Sequence, residues 1–558
     1  MFLQLIHCES KHKINILKYY IAIIMKDIKF TVNGESELIS INTKPIETDP
    51  WANAKMGEQG IENDIEYPDL KGMKVMIIIP DDHYDKKLMS LGPGYVATAM
   101  QRCGIEVSIM DCAIYHYDDI QIVRLLIESG VKIFGIGALY PMSKEVKRLC
   151  NLINAVIPDN TIILGGSLPT PIPEFMLNEM KADIATIGEA EMTIPPLMAA
   201  LAGKGKLEDV SGIAYLKDGK FFHNGQPTLP PRATKVEVGW PALDLYPIEK
   251  YITAPKFYPF RDEDRILPIV TGRGCPYSCD FCFRVSAFRS RPFDDLVDEM
   301  EHMQKKYNLN GFYIVDDLLM LNKNKITDFC ETIIDRGLKI KYNCTGRVNT
   351  VTPEIIHLLK KSGCISIYYG LESGNEKILE TMSKKTNLKQ IYEAIKLTKD
   401  AGIHCDYGVM FGQPGENHET LRDSINLIKN ITYDGFRSNM IFGCVPFPGS
   451  GLYDWCKSKG LIKDDKDFYD KYINQHWSLD QIPVNMTDLP DEEANKAFAN
   501  AKAELREFFE AKITDGWLKF FGGDVEGMKR VKTQGKKVDP IRFRLEATAS
   551  TFDTSGRT

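Results

Sequence analysis

The chain has 558 residues, of which 44% are hydrophobic and 26% charged, and its formal net charge is −7. At roughly 150 residues per domain it has room for three or four domain-sized units whose cores need no disulfide staples. The mildly acidic balance leaves no global electrostatic footprint for nucleic acid.

The most apolar amino-terminal stretch, residues 14–25, is interrupted by Lys18 and falls short of the roughly 20 residues a membrane span needs. No small-residue cleavage site follows it, and Met25 could be an alternative start. Residues 1–70 carry turn formers and little periodicity, and read as a poorly defined leader. Order begins at Met73–Pro80, a continuous apolar run suited to a strand buried on both faces of a parallel sheet. Leu91, Gly92, Pro93 and Gly94 then lead into a helical stretch through Met100, and a strand follows at Ile105–Met110. Helices over 120–129 and 144–156 alternate with strands over 133–139, 161–164 and 184–187. That alternation implies a doubly wound parallel sheet over 71–205. Its glycines fall at strand ends, where open α/β sheets bind ligands.

Over 206–262 the pattern changes to a β-hairpin around Asp218 and Gly219, then a proline-rich connector. From residue 263 to 460 strand and helix alternate again. Candidate strands are 267–271, 311–315, 340–345, 364–370, 404–411 and 437–443, the six repeats of a partial (β/α)6 barrel with its chemistry at the carboxyl ends of the strands. Residues 461–558 form a helical carboxyl-terminal unit. Pro490 and the acids at 491–493 open a helix with apolar positions at 494, 498, 501, 505 and 508. The basic run 529–544 reads as a solvated tail, with a docking patch as the alternative. No solenoid or propeller repeat is present.

Thirteen cysteines, an odd number with no regular framework, point to a reducing, cytoplasmic compartment. Ten stand singly and read as small buried hydrophobes. The other three, Cys275, Cys279 and Cys282, lie within eight residues after the first barrel strand. Thiolate is the ligand of iron–sulfur clusters. Structural zinc wants four ligands in two close pairs, and neither Cys330 nor His302 completes such a set. A redox Cys279–Cys282 pair would leave Cys275 unexplained. Three ligands on a four-iron cube leave one iron open.

This Cys-x3-Cys-x2-Cys loop, with Phe281 before its last cysteine, resembles the signature of radical SAM enzymes. The resemblance implies a [4Fe-4S] cluster on Cys275, Cys279 and Cys282, with S-adenosyl-L-methionine (SAM) on the open iron. It implies SAM contacts from Asp316 and Asp317 after the second strand, and from Glu372 and Ser373 after the fourth. A fifth-strand glycine motif, with Gly408, Gly412, Gly415 and Glu416, would carry the adenine. Arg347 could pair with the SAM carboxylate or make an ordinary ion pair.

Residues 73–201 resemble the cobalamin-binding domain that precedes many such barrels, and the resemblance as a whole covers roughly residues 73–460. It implies cobalamin contacts from Leu91, Gly92, Gly94, Tyr95, Ala138, Leu139, Gly165, Gly166, Gly188, Glu189 and Glu191. A histidine lower ligand uses Asp-x-His-x-x-Gly; here Asp81 and His83 are present but Lys86 replaces the glycine. His83 is therefore read as a loop histidine, with axial ligation as the alternative.

The family resemblance implies a cobalamin-dependent radical SAM enzyme, foremost a methyltransferase. A 5′-deoxyadenosyl radical would activate an unreactive carbon, or occasionally phosphorus, and methylcobalamin would supply the methyl. It also implies a small-molecule or natural-product substrate and a low-potential electron donor such as flavodoxin or ferredoxin. A ring-forming or oxidative reaction, as in anaerobic tetrapyrrole cyclases, is the first alternative. A non-catalytic cobalamin sensor is the second, and the intact cysteine set argues against it. Methylthio transfer to tRNA is disfavoured, because Cys103, Cys112 and Cys150 lack the spacing of a second cluster.

Overall fold

The computed structural model describes residues 55–56, 67–83, 87–257, 259–432, 441–473 and 481–520. The apolar stretch 14–25, most of the leader, Lys86 and the basic run 529–544 lie outside the described residues. The chain forms two compact units, residues 1–276 with 284–309, and residues 277–283 with 310–558.

In the first unit, β1 (Lys74–Ile79) is buried from Val75 onward, as a strand covered on both faces must be. It is followed by α1 (Gly92–Arg102), β2 (Glu106–Asp111), α2 (Asp119–Ser129), β3 (Ile133–Gly137) and α3 (Ser143–Val156). Then come β4 (Thr161–Gly165), α4 (Pro173–Met180), β5 (Ile184–Thr186) and α5 (Ile194–Leu201). Local chemistry sets the boundaries. Helix α2, for example, opens on a capping box of Asp118 and Gln121 and closes on Gly130 at φ 64°.

The five strands are parallel, in the order β2-β1-β3-β4-β5. The hairpin β6 (Ile213–Lys217) and β7 (Lys220–His223) extends this sheet antiparallel beyond β5. The sheet is thus mixed where an all-parallel one was expected. The reason is packing: Ile213 and Tyr215 of β6 lie in the same apolar core as Val75, Ile77, Met100 and Leu197. The connector returns over α1, where Ala242 N–H donates to the Gly94 carbonyl at 3.0 Å. Strand β8 (Ile266–Ile269) and helix α6 (Phe293–Tyr307) complete the unit, and the cysteine loop departs between them.

In the second unit, β9 (Gly311–Ile314), α7 (Lys323–Asp335), β10 (Lys341–Gly346), α8 (Pro353–Ser362) and β11 (Cys364–Glu372) alternate. The series continues with α9 (Leu388–Asp400), β12 (His404–Phe411), α10 (His418–Ile431) and β13 (Ile441–Gly443). Strands β9 to β13 pair in chain order and all in parallel. All six expected strands are present; residues 437–440 of the last lie outside the described ones.

After α11 (Gly451–Ser458), helix α12 (Asp491–Phe520) opens on three acids. It buries Ala494, Phe498, Ala501, Leu505 and Phe509. The last apolar step is four residues, to Phe509, and not three to Phe508. Phe508 is half-buried, with the Lys429 ammonium 5.4 Å from its ring centre. Among the described residues no helix is long and apolar enough to cross a membrane.

Candidate functional site

A 2-1-3-4-5 sheet reverses direction between β1 and β3, and the crevice beyond the carboxyl ends of those strands is where such sheets bind ligands. Asp81, buried at the end of β1, is a hub there. It accepts from His83 N–H at 2.8 Å, and its other oxygen lies 2.7 Å from His116 Nδ1 and 3.2 Å from His83 Nδ1. Burial alone would raise the Asp81 carboxyl; the His83 backbone and the two imidazoles more than reverse that and hold it below its ordinary value. With Nδ1 on a carboxylate, each ring directs Nε2 away from it, the arrangement that orients metal-ligating histidines. Asp81 and His116 were not picked out as a pair in the sequence, where they stand 35 residues apart.

Sequence-chosen residues after β3, β4 and β5 come together. Ala138 N–H donates to the Gly165 carbonyl at 3.2 Å. Gly166 adopts φ 79°, and a Cβ there would stand 2.9 Å from the Ala138 carbonyl oxygen, so only glycine fits. Thr170 Oγ1 donates to the Gly166 carbonyl at 2.7 Å and accepts from Gly188 N–H at 3.0 Å. These bonds rigidify three strand-end loops, above which Leu139 is 61% exposed. At the start of α1, Leu91 is buried and Gly92 faces open space. Gly94 is pressed against the connector, where a Cβ would lie 2.9 Å from Pro241.

Glu189, Glu191 and Tyr95 gather elsewhere, around an arginine that sequence reasoning left without a role. Arg273 Nη1 lies 2.8 Å from Glu189 Oε2 and 2.6 Å from Glu191 Oε1, and the guanidinium sits 4.8 Å from the centre of the Tyr95 ring. Cys275 follows two residues later and is half-buried.

In the second unit, Cys279 is half-buried and Cys282 exposed, with Cys282 N–H donating to the Cys279 carbonyl at 3.0 Å. Asp280 anchors this turn: its N–H donates to the Met382 carbonyl at 3.3 Å, its carbonyl accepts from Leu452 N–H at 2.8 Å, and its carboxylate accepts from Ser383 Oγ at 3.0 Å. No group of three His, Cys, Asp or Glu side chains is preassembled as a metal site among the described residues. Accessibility is what sets these thiols apart. The nine other described cysteines are all buried.

Arg347 is buried beside the turn. Its guanidinium stacks 3.8 Å from the centre of the Tyr277 ring, Nη2 donates to the Lys384 carbonyl, and Nη1 points at Cys279 Sγ from 3.9 Å. Lys384 Nζ lies 2.5 Å from Glu372 Oε1. Glu372 holds φ 67°, in the left-handed region that non-glycine residues adopt only in a minority of positions. Ser373 is fully buried, and the next residue's N–H donates to Ser424 Oγ at 2.9 Å.

After β12, Gly412 and Gly415 take φ 119° and 82°. One Glu416 oxygen accepts from the N–H groups of Gly412 and Gln413 at 2.7 and 2.8 Å, closing the turn. Gly408 permits a close approach by Tyr368, whose hydroxyl would lie 2.3 Å from a Cβ. Asp316 is buried and Asp317 exposed at the end of β9.

A doubly wound sheet of flavodoxin order, followed by parallel strand–helix repeats that begin with an accessible three-cysteine loop, defines a two-module chain. Residues 82–197 match the B12 binding domain and residues 269–428 the radical SAM superfamily. The chain therefore carries a B12-binding domain followed by a radical SAM domain. It is 26% identical to an uncharacterized methyltransferase of Pyrococcus horikoshii, over 70% of this chain and 85% of that one. It is likewise 26% identical to the cytidylyl-2-hydroxyethylphosphonate methyltransferase of Streptomyces wedmorensis, over 68% of this chain and 80% of the relative. The anaerobic magnesium-protoporphyrin IX monomethyl ester cyclase of Rubrivivax gelatinosus is 27% identical over 61% of this chain and 60% of its own. Among solved structures, the radical S-adenosylmethionine methyltransferase TsrM of Kitasatospora setae shares the fold with a TM-score of 0.58. That match is at 16% identity, over 69% of this chain and 76% of that one.

Proposed function

We propose that this chain is a cobalamin-dependent radical SAM methyltransferase acting on an unactivated carbon, or on phosphorus, of a small-molecule or natural-product substrate. The observation that carries the reading is the union, in one chain, of a B12-binding module with a loop of three accessible cysteines. When bound, the cofactors supply a 5′-deoxyadenosyl radical for hydrogen abstraction and a transferable methyl group.

The residues' tasks are binding and orientation. Cys275, Cys279 and Cys282 hold the cluster. The Arg347–Tyr277 stack fixes the Cys279 turn, and Lys384 fixes the Glu372 carboxylate, which would contact the SAM ribose and amino-acid portion. The Gly412–Glu416 turn, closed on the Glu416 carboxylate, would carry the adenine, and the linked loops of Ala138, Leu139 and Gly166 would support the corrin. A reducing cytoplasm and a flavodoxin- or ferredoxin-like donor belong to the same proposal.

The test is anaerobic reconstitution with iron, sulfide and methylcobalamin, then turnover of a panel of lipid, tetrapyrrole, phosphonate and peptide substrates with CD3-labelled SAM. A methyltransferase yields S-adenosylhomocysteine together with 5′-deoxyadenosine, and label in the product. The cyclase relative supports a second reading. Deoxyadenosine accumulating with an altered but unlabelled product would replace the first reading with it.

A further inference from the structure

The carboxylates Glu189 and Glu191 follow β5 of the B12-binding module, where the family resemblance implies contacts to cobalamin. Their side chains are instead 10% and 6% exposed and committed to arginines that flank the cysteine loop. Arg273 reaches both carboxylates, and Arg289 reaches the other Glu189 oxygen while Arg289 Nη1 donates to Ser286 Oγ at 3.0 Å. Arg273 and Arg289 are also directly opposed in a short antiparallel pairing, Gly272 with Ser290 and Arg273 with Arg289, which brings the two ends of the loop together. Gly274 lies so close beneath the returning strand that a Cβ would stand 2.5 Å from the Ser286 carbonyl oxygen. Burial alone would raise the Glu189 carboxyl, yet the two guanidiniums hold it below the usual carboxylate range. The guanidiniums thus favour the charged form of Glu189, and a buried charge pair that loses one partner leaves the other uncompensated.

We propose that Glu189 and Glu191 are positioning residues for the cysteine loop, clamping its two ends through Arg273 and Arg289, and make no contribution to cobalamin affinity. This rests on the functional reading above for what the loop holds, but the clamp itself belongs to the bare polypeptide. Two oxygens of Glu189 on two arginines, one at each end of the loop, hold the ends at a fixed separation. A single ion pair would leave one end free to swing.

The experiment uses the full chain and the variants Glu189→Gln, Glu191→Gln and Arg273→Lys. Two quantities are read before any turnover. One is hydrogen exchange of the backbone over 274–288 in the metal-free protein, and the other is hydroxocobalamin affinity from the visible spectrum. Iron and sulfide content and the electron paramagnetic resonance line shape after reconstitution follow. The expected result is loop exchange at least about tenfold faster in both Gln variants, with hydroxocobalamin affinity within about twofold of wild type, since each variant removes a charge-assisted bond from the clamp. Arg273→Lys keeps the charge but not the fork, and should fall between wild type and the Gln variants. Cobalamin affinity reduced tenfold or more, with or without faster loop exchange, would overturn the assignment, as would unchanged loop exchange. A wild-type chain that takes up neither cobalamin nor a cluster would sink the functional reading and leave the exchange result standing as the test of the clamp.

Discussion

Glu416 has no solvent exposure; one of its oxygens receives two backbone N–H groups and the other, Oε1, has no partner. Burial pushes its carboxyl up to about 8, with the Gln413 and Gly412 N–H groups pulling part of the way back. A carboxyl whose folded pKa is raised favours the fold while it is protonated. That contribution is complete below the unfolded value near 4.3 and is lost as pH rises through about 8. Glu416→Gln keeps an oxygen for both N–H groups and cannot ionise. Thermal melts from pH 6 to pH 9 should therefore show wild type losing stability relative to the variant as pH rises. Parallel curves would mean that the carboxyl does not titrate in this range.

The cysteines give the second residue-scale prediction. Changing Cys275, Cys279 and Cys282 together to Ala should abolish the brown iron–sulfur absorbance and all reductive cleavage of SAM, whereas Cys330→Ala, at a buried site beside Tyr342, should keep both. His83→Ala should leave a bound hydroxocobalamin spectrum unchanged if His83 is a loop residue. A clear shift would make it the lower ligand that its position on Asp81 permits.

Elements were legible where the signal was local. Asp218 and Gly219 both take positive φ, 52° and 72°, as a two-residue hairpin turn requires, and the dipeptide announced it. What the dipeptide could not convey is that β6 would join β5, because that pairing depends on a core assembled from α1 and α5. Glycine carries a related ambiguity: Gly94 and Gly166 each have a neighbouring protein group that excludes a Cβ, a packing requirement that a sequence pattern cannot separate from ligand approach.

The turn from α8 to β11 carries the clearest packing prediction. Gly363 takes φ 107°, with a Cβ clash at 2.1 Å from the Ile340 carbonyl oxygen, whereas Gly337 takes φ 66° with open space around it. Gly337→Ala should cost about 1 kcal/mol in urea unfolding, the strain of the conformation alone. Gly363→Ala should cost about 3 kcal/mol or more, because the backbone itself must move. Equal costs would show that the turn relaxes freely.

At the scale of the molecule, the sheet decides what a cobalamin-binding fragment must contain. A fragment of residues 67–205 ends before the hairpin and would expose the edge of β5, while Ile213 and Tyr215 would be missing from the core. A fragment of residues 67–254 keeps the hairpin and the connector over α1. The longer fragment should bind hydroxocobalamin as a monodisperse protein and the shorter one should aggregate, which size-exclusion chromatography reads directly. Both module folds, the six strand positions and the cysteine loop were visible in the sequence because each repeats a short local pattern. The Glu189–Arg273 pair was not, since 84 residues separate its members and nothing local marks an ion pair.

The contrast between three reachable thiols and nine buried ones also gives the protein an internal gauge. Burial drives the Cys103 and Cys330 thiols up to about 11 and Cys112, Cys150 and Cys456 to about 12, so at neutral pH they stay protonated as well as shielded. An alkylating reagent applied to the native chain should therefore sample the loop cysteines almost alone among the described ones. Any cluster shields those same sulfurs. The number of alkyl groups taken up per chain, weighed by intact mass, then becomes a direct measure of how many molecules in a preparation have lost their iron.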